Sequence, residues 1–200
     1  MKTPKTDSVE LINKVLKIAL ASSGVILSVL HFIDPIKFPK IGSYLAEIGL
    51  PFAVDFLRLF NIRFSKRFQT AYLLFLIPSM LLGICFDWYK TLYIFGQPMF
   101  DKVAHTLSGV VAAFAAKELL ETYYEPIDKK KFKQGFSYLF IVCFVAFTAA
   151  AWECFEFLYD SFCGGSMQEL IAPGVGDTMW DILGAMAAGI VAAYPLSKKK

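Results

Sequence analysis

Long apolar runs alternate with short polar stretches along the whole chain. A membrane-spanning helix needs about 20 mostly apolar residues. The pattern therefore predicts spanning helices at 15–33, 70–86, 103–120, 136–158 and 178–196. A sixth run, 44–60, is weaker because it contains Glu47, Asp55 and Arg58, and it is compatible with a span or an interfacial segment. We expect an all-α, polytopic transmembrane helical bundle of about six helices, organised as one integral-membrane domain over residues 1–200.

Composition agrees with a membrane protein. The chain is 56% hydrophobic and only 18% charged, whereas a soluble domain is about 25% charged. Its net charge of +3 does not indicate nucleic-acid binding, because the basic residues lie between the apolar runs. Membrane lipid is the expected partner, and the sequence leaves the oligomeric state open.

The basic residues also predict an orientation. With six spans and both termini in the cytoplasm, only Lys37, Lys40, Lys90 and Lys102 of the 20 basic residues lie outside. This agrees with the excess of Lys and Arg that cytoplasmic loops carry. Five spans would place the N-terminal lysines outside, so six spans are preferred.

Acidic residues collect at the predicted outer ends of three different helices. At about 100° per residue, the members of each set fall on one helix face. Small residues such as Gly109, Ala113, Ala185 and Gly189 would let these helices approach closely in lipid. The sets are Asp101 and His105 on the fourth span, Glu153, Glu156 and Asp160 on the fifth, and Asp177 and Asp181 on the sixth.

So many carboxylates at close range require protons or a cation. Carboxylates with one imidazole suit Mg²⁺, Mn²⁺, Ca²⁺ or Zn²⁺, so a divalent metal ion is the expected cofactor. Glu156 is the candidate catalytic base, and His105 is a candidate for both catalysis and metal binding. The metal-ligand candidates are Asp101, His105, Glu153, Glu156, Asp177 and Asp181, and Asp160 is a secondary candidate.

Simpler interpretations exist for several of these residues. Asp101 and Asp177 suit the wet N-terminus of any helix. His105 suits a hydrogen-bonded interfacial histidine, and Asp160 suits a solvated loop. Glu153 and Glu156 are harder to explain in this way, because they lie at least one turn inside an apolar run.

Three motifs resemble the YjdF-like family of small bacterial membrane-spanning proteins. They are FDKVAHTLSG (100–109), WECFEFLYDSFCGGSMQ (152–168) and GDTMWDILGA (176–185). The resemblance implies a polytopic helical fold in a bacterial plasma membrane and a shared polar site, but it supplies no reaction. It adds Gln168 and Asp87 as secondary candidates.

The layout is more distantly similar to VanZ-like proteins, which carry D-K-x-x-H, E-x-x-Q and D-x-x-x-N-x-x-G. Asp101, Lys102 and His105 match the first motif. Glu156 stands in place of the Gln and Asp181 in place of the Asn. Both departures add negative charge and strengthen the expectation of a cation or proton.

Three functions fit these observations. The first is a metal-dependent hydrolase acting at the outer leaflet on a lipid or lipid-linked envelope precursor. The second is a proton- or cation-coupled transporter. The third is a non-catalytic protein that modulates lipids or the envelope. The inner halves of the fourth and sixth spans are mostly small and apolar, which favours a one-sided site over a channel and leaves enzymatic activity open.

Overall fold

The computed structural model describes residues 4–91, 93–94, 97–124, 134–163 and 175–198. The chain divides into two compact units, Met1–Thr91 and Leu92–Lys200. Whether the two units act as the single membrane domain expected from the sequence stays a prediction.

Five described helices are long and apolar enough to cross a membrane. They correspond to the five strong runs, so the predicted polytopic helical class is confirmed. Most extend beyond the predicted bounds, and the acidic residues therefore lie within helices rather than in loops. The five segments are Ser8–Ile33, Lys66–Cys85, Met99–Tyr123, Gln134–Phe162 and Val175–Ser197.

The N-terminal unit is built from helices of very different length. Pro51 falls in a 3-10 turn, where the helix of the weak run is interrupted. Ser65 caps the next long helix by accepting a hydrogen bond from the backbone N–H of Phe68 at 3.1 Å. Pro78 lies where that helix widens into a π-helix. The elements are α1 (Pro4–Ile33), α2 (Ile41–Gly49), a 3-10 turn (Leu50–Phe52), α3 (Ala53–Phe56), a second 3-10 turn (Leu57–Phe60), α4 (Lys66–Leu76) with its π-helical continuation (Ile77–Cys85), and a third 3-10 turn (Trp88–Lys90).

The weak run 44–60 runs antiparallel to α1 as a series of short helical segments. Near the end of α1, His31 Nδ1 lies 2.6 Å from the carbonyl oxygen of Phe38. Midway, a Cβ on Gly24 would lie only 2.7 Å from the carbonyl oxygen of Tyr44. Near its start, Lys17 forms an ion pair with Asp55. This path agrees with a sixth pass, although its position in a membrane stays a prediction.

The first turns of α4 contact α1 near its N-terminal end. The side-chain amide of Asn13 donates to the carbonyl oxygen of Lys66 at 2.9 Å, and Thr70 donates to the Asn13 side chain at 2.7 Å. Helices α1 and α4 therefore run in the same direction, with the broken segment running the opposite way.

The C-terminal unit contains a short hairpin and three long helices. Strand β1 (Tyr93–Ile94) pairs antiparallel with β2 (Gln97–Pro98). The core of the unit consists of small and β-branched side chains, among them Ala113, Val145 and Ala193. The helices are α5 (Met99–Leu119) with a π-helical end (Leu120–Tyr124), α6 (Gln134–Cys163) and α7 (Val175–Ser197).

Glycines allow these helices to pack closely, as the sequence predicted. A Cβ on Gly109 of α5 would lie 2.0 Å from the carbonyl oxygen of Ala185 on α7. A Cβ on Gly189 of α7 would lie 2.5 Å from Val145 Cγ1 on α6. These contacts fix the register in which the acidic ends of the three helices meet.

Candidate cation site at the acidic ends of three helices

The structure brings all six predicted metal-ligand candidates into one cluster in the C-terminal unit. Helix α5 contributes two of them in its first two turns, α6 two near its C-terminal end, and α7 two near its start. Four are buried, namely Glu153 (4% exposed), Glu156 (6%), Asp177 (6%) and Asp181 (2%). Their proximity is a geometric finding, and their role as ligands stays a prediction.

Lys102 of α5 lies among the aspartates. Its Nζ donates to Asp177 Oδ1 at 2.5 Å, to Asp181 Oδ2 at 2.8 Å and to Asp101 Oδ2 at 3.2 Å. The side chain of Lys102 is only 22% exposed. One ammonium group thus holds two carboxylates of α7 together with its own neighbour on α5.

His105 lies between the aspartates and the glutamates. Its Nε2 is 3.5 Å from Asp101 Oδ1 and 3.9 Å from Asp181 Oδ2. Its Nδ1 is 3.6 Å from Glu153 Oε1. Two groups of three therefore share this imidazole, Asp101–His105–Asp181 and His105–Glu153–Glu156, and the ligand atoms within each group lie within 4.8 Å of one another.

The two glutamates differ in their partners. Glu156 Oε1 accepts a hydrogen bond from Trp152 Nε1 at 2.6 Å, one turn earlier on α6. Glu153 interacts with the Thr178 side chain of α7, but neither of its carboxylate oxygens has a hydrogen bond of normal length and geometry among the described residues. An ionised carboxylate buried without good hydrogen bonds is strongly unfavourable. Glu153 therefore favours either a proton or a nearby positive charge, which protonated His105 or a bound cation would supply.

The cluster as a whole carries more negative than positive charge. Asp101, Glu153, Glu156, Asp177 and Asp181 supply five carboxylates, and Lys102 supplies one fixed positive charge. With all five ionised, the formal charge is −4, or −3 if His105 is protonated. Lys102 offsets one of the three aspartate charges, so the excess divides into −2 among the aspartates and −2 on the two glutamates.

The secondary candidates are less closely tied to the cluster. Asp160 is half-buried on α6, one turn beyond Glu156, and belongs to neither group of three in the described part of the chain. Asp87 lies in the N-terminal unit, where its Oδ1 is 2.6 Å from Lys40 Nζ. Gln168 lies outside the described residues.

Two site residues were missed by the sequence analysis. Lys102 is counted there among the outer basic residues and matched to the D-K-x-x-H motif, but it is given no role in the site, although its place directly after Asp101 puts it at the same level of α5. Trp152 was assigned to no role in the site, although it precedes Glu156 by four residues and can reach it on one helix face. Both signals were available in the local spacing.

A bundle of apolar helices with a buried acidic cluster defines a polytopic membrane protein. The chain belongs to the family described as predicted membrane protein (DUF2238), which matches residues 16–198. This membership is consistent with the YjdF-like resemblance, whereas the likeness to VanZ-like proteins stays a prediction. No curated protein and no solved structure matches the chain.

Proposed function

We propose that the C-terminal unit binds a divalent cation through His105, Glu153 and Glu156, and that the ion supports hydrolysis of a lipid or lipid-linked envelope precursor at the outer leaflet. The observation that carries this proposal is the buried, poorly hydrogen-bonded carboxylate of Glu153. Its side chain is 4% exposed and lies 3.6 Å from His105 Nδ1, yet its two oxygens form no hydrogen bond of normal length and geometry in the described chain.

The glutamates are better supported as ligands than the aspartates. Lys102 already supplies a positive charge to Asp101, Asp177 and Asp181. A second cation there would be repelled by the ammonium group. The larger ligand set expected from the sequence therefore divides into an aspartate layer held by Lys102 and a His–Glu–Glu group available to a metal ion.

The spacing of this group suits a metal ion. Its ligand atoms lie within 4.8 Å of one another. One ion between two of these atoms, with a bond of about 2.4 Å to each, can span that distance. Three protein ligands leave coordination positions for water and substrate, as in catalytic rather than structural zinc sites. Mg²⁺, Mn²⁺, Ca²⁺ and Zn²⁺ all accept carboxylate oxygens, and the imidazole ligand favours Zn²⁺ over Ca²⁺.

A bound divalent ion would polarise the substrate's phosphoryl or acyl oxygen and lower the pKa of a bound water. The water oxygen would form the new bond as the ester bond breaks. Glu156 would take the proton of the water and return it to the leaving oxygen. Trp152 donates to Glu156 Oε1 at 2.6 Å. That oxygen has a further lone pair for the ion, which leaves the second oxygen for the proton transfer.

Transport is less well supported by the packing around this site. Gly109 and Ala185 are in backbone contact one to two turns further along α5 and α7. Beyond them, Ala113, Ala116 and Ala193 are fully buried. An ion at the acidic cluster would meet tightly packed apolar helices along this route, so a one-sided site is the better interpretation.

The test measures cation binding and turnover on the purified full-length protein. Calorimetric titration with Mg²⁺, Mn²⁺, Ca²⁺ and Zn²⁺ should detect one site, and Glu153→Gln should weaken it by about 100-fold or more, since even an outer-shell change costs 10- to 100-fold. The matched control is Glu121→Gln, because Glu121 is half exposed and pairs with Lys117 at 3.0 Å. Hydrolysis of phospholipid and lipid-linked phosphate esters is then measured with and without the ion.

Each outcome decides a different part of the proposal. Absence of any binding, or equal binding by E153Q and E121Q, would show that the cation site is wrong. Binding without ion-dependent hydrolysis would retain the site and reject the enzymatic function in favour of a non-catalytic role.

A further inference from the structure

A polar cavity lies in the N-terminal unit, and none of its lining residues belongs to the cation site. It has a volume of about 330 Å³. It opens where α1 and α4 both begin and where the broken segment 41–60 ends. Its charged lining consists of the four cations Lys14, Lys17, Arg58 and Lys66 and the two anions Glu10 and Asp55.

The cavity contains more cations than anions, and its cations differ in how they are paired. Asp55 is shared by Lys17 and by Arg58, whose Nη2 lies 3.3 Å from Asp55 Oδ1. Lys14 pairs with Glu10 at 3.6 Å, and that lysine side chain is 68% exposed. Lys66 forms no ion pair with a described residue. Four cations facing two anions leave a net charge of +2, which an anionic ligand would balance.

The uncharged wall of the cavity is held in place by buried hydrogen bonds. Asn13 is 3% exposed and joins α1 to Lys66 and Thr70 of α4. Gln69 is 2% exposed and donates to the carbonyl oxygen of Phe64 at 3.2 Å. The first turn of α4, whose backbone N–H groups favour anions, is therefore fixed at the cavity.

Apolar side chains are exposed beside these cations. Phe56, Leu59 and Phe60 flank Arg58 in the chain and are 59%, 74% and 64% exposed. Leu11 of α1 is 62% exposed. A free anion would use only the cavity, whereas a lipid would place its phosphate in the cavity and its acyl chains along this apolar surface.

We propose that this cavity, here called the basic cavity, binds the phosphate headgroup of an anionic phospholipid. The positive-inside orientation predicted from the sequence puts the starts of α1 and α4 at the cytoplasmic face, where anionic lipids attract basic groups. The ligand class is a phosphate monoanion carried by a diacyl lipid.

The experiment uses native mass spectrometry of the full-length protein, titrated with phosphatidylglycerol, with phosphatidylcholine, or with inorganic phosphate alone. The protein should retain phosphatidylglycerol in preference to phosphatidylcholine. The double variant Arg58→Gln/Lys66→Gln should bind it about 25-fold more weakly, at about fivefold for each charge removed. Lys37→Gln, an exposed lysine at the other end of α1, is the matched control and should bind as the wild type does.

The result can overturn the proposal in three ways. Equal retention of the two phospholipids, or an equal loss in K37Q, would show that the basic cavity does not select the headgroup. Saturation by inorganic phosphate with no gain from the lipid would assign the cavity to free phosphate instead. The charge-conserving double variant Arg58→Lys/Lys66→Arg should bind within a few-fold of wild type, since each basic group contributes mainly through its charge. It therefore separates loss of charge from loss of folding.

Discussion

Among single residues, Lys102 provides the positive charge that stabilises the buried aspartates of the acidic cluster. Its ammonium group contacts three aspartates, two of which come from another helix. A positive charge built into α5 therefore compensates part of the negative charge that the sequence analysis had left for an external cation. This explains why aspartates can be buried at the start of α7.

We predict that Lys102→Met destabilises the C-terminal unit. The substitution keeps most of the side-chain volume but leaves Asp177 and Asp181 buried beside a group that donates no hydrogen bond. Breaking a buried ion pair costs about 3–5 kcal/mol. The measurement is thermal unfolding of the purified protein, where K102M should melt well below wild type.

Lys117→Met is the matched control for this prediction. Lys117 lies on the same helix and pairs at 3.0 Å with Glu121, whose side chain is 50% exposed. An i,i+4 pair of this kind is worth about 0.3–0.5 kcal/mol. Adding D177N and D181N to K102M should recover part of the loss. Equal melting of K102M and K117M would contradict the role assigned to Lys102.

Between elements, the contact of α5 with α7 sets the geometry of the site. The acidic residues lie one or two turns from the Gly109–Ala185 contact, so the distance between the two helices controls whether Lys102 can reach both aspartates of α7. The small residues along this contact therefore act on the site through helix spacing.

We predict that Gly109→Ala separates α5 and α7 and weakens the cluster. The new Cβ would lie 2.0 Å from the backbone oxygen of Ala185, and backbone cannot yield as a flexible side chain can. Overpacking of this kind costs about 1–3 kcal/mol. Thermal unfolding and the cation titration described above should both show the loss.

Gly135→Ala on α6 is the control, because a Cβ there meets nothing within 4 Å. It should be neutral or should stabilise the helix by up to about 1 kcal/mol. If both alanine variants melt like wild type, the close α5–α7 contact is not what holds the site.

At the level of the whole chain, the two units share an internal arrangement that the sequence did not reveal. In the N-terminal unit, α1 and α4 begin together, and the broken segment ends beside them at Asp55 and Arg58. In the C-terminal unit, α5 and α7 begin together, and α6 ends beside them at Glu153 and Glu156. Each unit carries its polar cluster at this end, basic in the first and acidic in the second.

We predict that residues 34–40 and 61–65 face opposite sides of the membrane. In full-length protein whose four cysteines are replaced by serine, Ile36→Cys should react with a membrane-impermeant maleimide in intact cells, because Ile36 is 92% exposed. Arg63→Cys should react only after the cells are opened. Labelling of both positions from outside would show that the segment 44–60 does not cross. The predicted cytoplasmic C-terminus and the outward-facing acidic cluster would then be wrong.

The apolar runs by themselves determined the class of protein and its five long helices. A run of about 20 apolar residues has few alternatives to a spanning helix, and small-residue spacing was enough to anticipate the Gly109–Ala185 side of α5 and α7. Helical periodicity also placed Asp101 with His105, and Asp177 with Asp181, on common faces. These features depend on residues near one another in the chain.

Only the tertiary structure decided which oppositely charged side chains pair with one another. The contacts of Lys102 with Asp177 and Asp181 join residues more than 70 positions apart, and their pairing depends on the register in which α5 packs against α7. The path of 41–60 along α1 likewise depends on contacts such as Gly24 with Tyr44. Long-range packing selects which oppositely charged groups meet, and no local pattern in the sequence contains that information.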